Sequence, residues 1–130
     1  MCIRDRAVNA AGQRMMDICA ERMANGDGIA VFPEGTCNDV DHTEVQPVGS
    51  GIGHIAFRAM KLGAQPVLLS LGLSYGPRPD PSVPVTKEEA KSASFHFGVP
   101  ITELPTKPAE IARLVRTDLQ QALDGAVAAY

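Results

Sequence analysis

The segment that most constrains the fold is Pro66 to Leu73, PVLLSLGL, in which Ser70 is the sole polar side chain. An almost unbroken apolar run of this length reads as a strand covered on both sheet faces. Two shorter runs read the same way: Ile29 to Phe32 (IAVF) as a short buried strand, and Ser94 to Val99 (SFHFGV) as a third. Helical periodicity surrounds them. Val8, Ala11, Met15, Ile18, Cys19 and Met23 fall on one face of a helix that Asn25-Gly26-Asp27-Gly28 stops. Ile52, Ile55, Ala56, Ala59 and Met60 mark a second, ended by Gly63. In the third, Thr106 is the expected cap, Pro108 suits the first turn and Glu110 complements the helix dipole. Its apolar face is Ile111, Leu114, Val115, Leu119, Ala122, Leu123 and Val127. The spacing predicts helices near 8–24, 51–62 and 107–124 covering one sheet of three neighbouring strands, an α/β sandwich.

The rest of the chain bounds the function classes. At 130 residues, 45% of them apolar, it is long enough for one domain with a real core. A net charge of -3 gives no basic face for nucleic acid, and the absence of Trp leaves few platforms for base stacking. Cys2, Cys19 and Cys37 are scattered, with no C-x-x-C, and indicate neither a disulfide frame nor a zinc site. No apolar run approaches the roughly 18 residues of a membrane span. Residues 37–48 form a mostly polar loop, and 75–92, with four of the ten prolines, a surface excursion.

Chemistry concentrates at Pro33-Glu34-Gly35-Thr36. In α/β sheets, ligands bind beyond the carboxyl ends of strands. Pro33 cannot donate to a ladder, so pairing stops there, and Gly35 lets the backbone approach a ligand. Glu34 and Thr36 offer a carboxylate and a hydroxyl to a polar substrate. Ser50 and Gly51 stand at a helix N-terminus, where free N–H groups attract anions. A site for a small polyol or phosphate follows from these residues. An ordinary Pro-Glu-Gly turn explains part of the same pattern.

The ordered set resembles the glycerolipid acyltransferase family, with the lysophosphatidate (1-acylglycerol-3-phosphate) acyltransferases as the close comparison. Phe32-Pro33-Glu34-Gly35-Thr36 is similar to the family's FPEGT block. Gln46-Pro47-Val48-Gly49-Ser50-Gly51 is similar to its P-x-K-x-G helix start, Gln65-Pro66-Val67-Leu68-Leu69 to its following strand, and SFHFGVPI to its strand ending in G-x-P-I. The resemblance covers residues 7–127. It implies a partial αβα sandwich lacking its N-terminal catalytic portion. It also implies acyl transfer from acyl-CoA or acyl carrier protein to a lysophospholipid hydroxyl. In the family an H-x-x-x-x-D motif supplies the base, with no covalent enzyme intermediate and no cofactor expected. By match, Glu34, Gly35 and Thr36 inherit the acceptor role. The expected setting is the cytoplasmic side of a membrane, peripheral or anchored through sequence outside this chain.

Departures from the pattern are specific. Five residues beyond His42, His54 and His96 stand Pro47, Ala59 and Ile101, so no H-x-x-x-x-D is present. Cys37 stands where the family commonly has Arg, and Gly49 where it often has Lys. Ile3-Arg4-Asp5-Arg6 resembles the second block's I-D-R, which makes Arg6 a candidate phosphate ligand. Residues 1–6 also resemble adapter read-through, and are set apart as a leader to the domain at 7–130. Among other groups, His54, Arg58 and Lys61 read as a solvated helix face, His96 as structural, and Asp39, Asp41 and Glu44 as a solvated loop. The alternative function is a non-catalytic α/β module binding a phosphorylated ligand or a partner.

Overall fold

The computed structural model describes residues 3–36, 38, 41–75 and 92–130. Three helices, α1 (Ile3–Ala24), α2 (Gly51–Lys61) and α3 (Pro108–Ala129), accompany two strands, β1 (Leu71–Ser74) and β2 (Ser94–Phe97). Helix α1 packs on α2, α2 on α3, and α3 on both strands. The result is mixed α/β with one antiparallel sheet.

Both connections leaving α1 and α2 are closed by the same hydrogen-bond pair. Gly63 N–H donates to the Met60 carbonyl and Ala64 N–H to the Ala59 carbonyl, with Gly63 at φ +89°. Only a residue without a Cβ adopts that angle cheaply. Gly26 repeats the arrangement after α1, with Asp27 N–H on the Arg22 carbonyl. Helix α3 starts at Pro108, and the residue in the cap position is Lys107, which makes no side-chain cap bond. The expected cap by Thr106 is therefore one residue early. Pro108 has no N–H to leave unsatisfied, which removes part of the need for a cap.

The core forms where α2 and α3 meet. Ala56, Ile111 and Val115 are buried, with Val48, Ile52, Met60, Leu68 and Leu104 packed around them. Full burial of a side chain the size of Ile111 contributes about 1.5–3 kcal/mol. Contact at backbone distance is possible because Gly53 faces Pro108: a Cβ there would lie 2.0 Å from the Pro108 carbonyl oxygen. The apolar face of α1 is rotated from the expected one. Ala20 is buried, whereas Met15 and Ile18 are 54% and 48% exposed. Arg58 of α2 donates Nη1 to the Gln13 carbonyl (2.8 Å) and to Asp17 (3.1 Å), and is not part of a solvated face. Met23 shares a groove with Ile52 and Ile55. α1 and α2 therefore run antiparallel.

Three strand expectations need correction. Residues 29–32 are not a strand, and Phe32 is 94% exposed. A strand needs a hydrogen-bonded neighbour, and no described residue pairs with this segment. The long run at 66–73 is paired only in part: Leu68 bridges Ile101, and β1 begins at Leu71. Between those pairings, Leu69 and Ser70 oppose three residues, Gly98 to Pro100. That mismatch is a β-bulge, and Pro100 is tolerated there because no ladder donor is needed. Finally, among the described residues the sheet is covered on one face, by α3, and not on both.

Candidate functional site

The turn at residues 33–36 is built by its own residue types. Gly35 N–H donates to the Phe32 carbonyl at 3.1 Å, which closes a turn with Pro33 at its first central position. Gly35 then takes φ +70°, and a Cβ there would meet nothing within 4 Å. Conformation, and not crowding, is what calls for glycine at this point. Thr36 is exposed.

Glu34 reaches across the loop that follows. Its Oε2 accepts the Gln46 backbone N–H at 2.7 Å in a partly buried position. The loop between them is laced by short polar contacts. Asn38 donates to the carbonyls of Asp41 and Glu44. Asp41 Oδ1 accepts both the Thr43 N–H (2.9 Å) and the Thr43 hydroxyl (2.6 Å). The Thr43 hydroxyl, then its N–H, hold the Asp41 carboxyl below its ordinary value, with a smaller pull from His42. A depressed folded-state pKa means that this local stabilisation is complete above the ordinary Asp range. It is lost as pH falls through the lowered value.

The far edge of the same loop is held by α3. Gln120 Oε1 accepts the Val45 N–H (2.8 Å), and Gln120 Nε2 donates to the Thr43 carbonyl (2.9 Å). Asp124, one turn on, accepts from the same Nε2 at 2.9 Å and fixes the amide. Neither Gln120 nor Gln46 was singled out by the sequence. Side-chain to main-chain bonds spanning such distances along the chain leave no local spacing signal.

Ser50 stands at the N-cap of α2 in helical conformation (φ -74°, ψ -8°) without a side-chain cap bond. Gly51, exposed, is the first helical residue, and the first turn of α2 holds no acidic side chain. Val48 and Ile52, packed on the core, fix this segment on both sides. Glu34, Gly35 and Thr36 thus share one turn, and the Glu34–Gln46 bond ties it to the segment leading into Ser50 and Gly51. Arg6 is placed differently. It lies in the first turns of α1, and its side chain is outside those described. Because α1 and α2 are antiparallel and Arg58 meets Gln13 and Asp17, the Arg6 backbone lies toward the end of α2 opposite Ser50. Cys37 and Asp39 lie outside the described residues.

Phe32, Pro33 and Glu34 form part of the wall of a groove of about 510 Å³. Its other walls come from α2, the 66–73 run and α3, through side chains such as Ile55, Leu69, Val115 and Leu123. Among the described residues, Glu34 is the one ionisable side chain in this lining. Such a groove can take an apolar chain while a carboxylate at its wall meets a polar head. Among the described residues, no three His, Cys, Asp or Glu side chains gather as a metal site.

A family model described as Acyltransferase matches residues 2–85. No curated protein and no solved structure matches the chain.

Proposed function

Since the chain belongs to the acyltransferase family, we propose that it serves transfer of an acyl group from acyl-CoA or acyl carrier protein to a hydroxyl of a lysophosphatidate-like glycerolipid. The observation that carries this reading is the placement of Glu34, among the described residues the one ionisable group in the wall of a mainly apolar groove. A lysophospholipid has the matching polarity: an acyl tail, a glycerol hydroxyl and a phosphate. The Glu34 carboxylate would repel phosphate, so it takes the hydroxyl. Its Oε2 is engaged by Gln46, and Oε1 takes no hydrogen bond from a described residue. Phosphate goes to the N-terminus of α2 at Ser50 and Gly51, where the helix's first turn holds no acidic side chain.

In the transfer, the acceptor oxygen attacks the thioester carbonyl, the C–S bond breaks, and the hydroxyl proton must pass to a base. No described residue pairs a His with a carboxylate at this groove. In this reading the His–Asp pair comes from sequence outside these 130 residues, and Glu34, Gly35, Thr36, Ser50 and Gly51 contribute acceptor binding. Among the described residues no helix is long and apolar enough to cross a membrane. In this reading the setting is the cytoplasmic side of a membrane, reached peripherally or through sequence outside this chain.

Glu34→Gln tests the assignment. The amide keeps an oxygen for the Gln46 N–H and loses the charge. Calorimetric titration of the 130-residue chain with short-chain lysophosphatidate should show affinity lowered about 10- to 150-fold, the equivalent of one charge-assisted hydrogen bond, with little change in Tm. Unchanged affinity with a lowered Tm would assign Glu34 to the turn alone. Turnover of lysophosphatidate and acyl-CoA by the purified wild-type chain would refute the external His–Asp pair.

A further inference from the structure

The stretch 43–46, a turn and a bend at 43 and 44 running into irregular backbone, is gripped from two sides. Its successive N–H groups at 45 and 46 find different holders. Val45 N–H goes to Gln120 of α3, and Gln46 N–H goes to Glu34. Gln120 adds a second bond to the same stretch, through its Nε2 on the Thr43 carbonyl. The Val45 side chain, between the two grips, is buried and lines the groove. Gln120 is itself partly buried and oriented by Asp124. It therefore presents a fixed amide and not a mobile surface group.

We propose that Gln120 is a positioning residue for the acceptor site, acting through the 43–46 main chain on the Glu34 carboxylate. This rests on the acceptor-binding reading of Glu34. The mechanism is mechanical. Glu34 is aimed by the N–H of Gln46, and Gln46 stays in place only while Thr43 and Val45 are clamped to α3. Removing the clamp frees the stretch to swing away from α3, and Glu34 loses the donor that sets its rotamer. The device spans the sequence: the two bonds join residues 75 and 77 positions apart. It also brings into the site a helix beyond the residues that the family model matches.

The test compares wild type, Gln120→Leu and Gln120→Glu in the 130-residue chain. Leucine removes both bonds. Glutamate keeps an oxygen for the Val45 N–H and loses the donor to Thr43. Hydrogen exchange followed by NMR should show the Gln46 amide, which Gln120 does not touch, exchanging about tenfold faster in Gln120→Leu, with partial recovery in Gln120→Glu. Amides in the middle of α3 should keep wild-type protection. Short-chain lysophosphatidate affinity should fall about tenfold in Gln120→Leu and add nothing further in the double variant with Glu34→Gln. Faster exchange confined to Val45, with Gln46 at the wild-type rate, overturns the positioning role. So does loss of protection throughout α3, which would make Gln120 a general stabiliser. If wild type binds no lysophosphatidate while the Gln46 amide responds as expected, the acceptor reading fails and the positioning of Glu34 stands.

Discussion

The two faces of the β1–β2 sheet are opposites in a way that inverts the usual pattern. The face toward α3 carries Ser70, Gly72 and Ser74, all buried. The other carries Leu69, Leu71, Leu73, Phe95, Phe97 and Val99, exposed between 38% and 81%. The register sets Leu71 beside Phe97 and Leu73 beside Phe95, so the exposed side chains form one continuous apolar surface. The small residues are buried because α3 comes down to backbone contact. A Cβ on Gly72 would lie 2.1 Å from the Ala122 carbonyl oxygen. The comparison separates two uses of a strand. One face is shaped for steric fit and one is supplied with apolar area. The second is the kind of patch that marks a binding or assembly surface.

The comparison is broken most severely from the fitted side. Gly72→Val forces a side chain into the Ala122 main chain and should cost about 3 kcal/mol or more, read as a lowered urea midpoint at constant slope. A wild-type midpoint would mean that α3 stands off farther than described. Ser70→Ala is expected to act at an intermediate level. Its hydroxyl donates to Asp118 Oδ2 at 2.6 Å, and its loss should cost about 1.5 kcal/mol in the same measurement. The open face should respond least in stability. Leu71→Thr with Phe97→Thr ought to move the midpoint by no more than about 0.5 kcal/mol per site. Wild type is expected to self-associate through this face in sedimentation velocity, and the same pair should reduce it. A drop as large as that of Gly72→Val would show that this face is covered within the monomer.

The helices were legible because each repeats its apolar side chains at helical spacing over many residues. Gly26 and Gly63 marked their ends, since positive φ narrows the choice of residue to almost one. The turn at Pro33–Gly35 was legible for the same reason. The strand expected at 29–32 was not, because four apolar residues carry no periodicity and a strand is made by its neighbour. The rotation of α1 went unseen because Met15 and Ile18 are as apolar as the Ala20 that is actually buried. As for the site, Glu34 was read from its turn, but its contact with Gln46 was not. That contact depends on how a loop folds back, and the Gln120 clamp depends on a helix 75 residues away.

Gly53, fitted against Pro108, has a consequence for where this protein can be cut. The family-matched stretch ends at residue 85, whereas the surface that α2 was shaped to meet begins at Pro108. Ile111 and Val115, the buried partners of Ala56 in the central cluster, belong to the same later segment, as does β2, the sole described neighbour of β1. The stretch recognisable by descent is therefore smaller than the cooperative unit that holds it. A gene boundary drawn at the edge of the recognisable part would produce α2 with its glycine notch open, and a strand with nothing beside it.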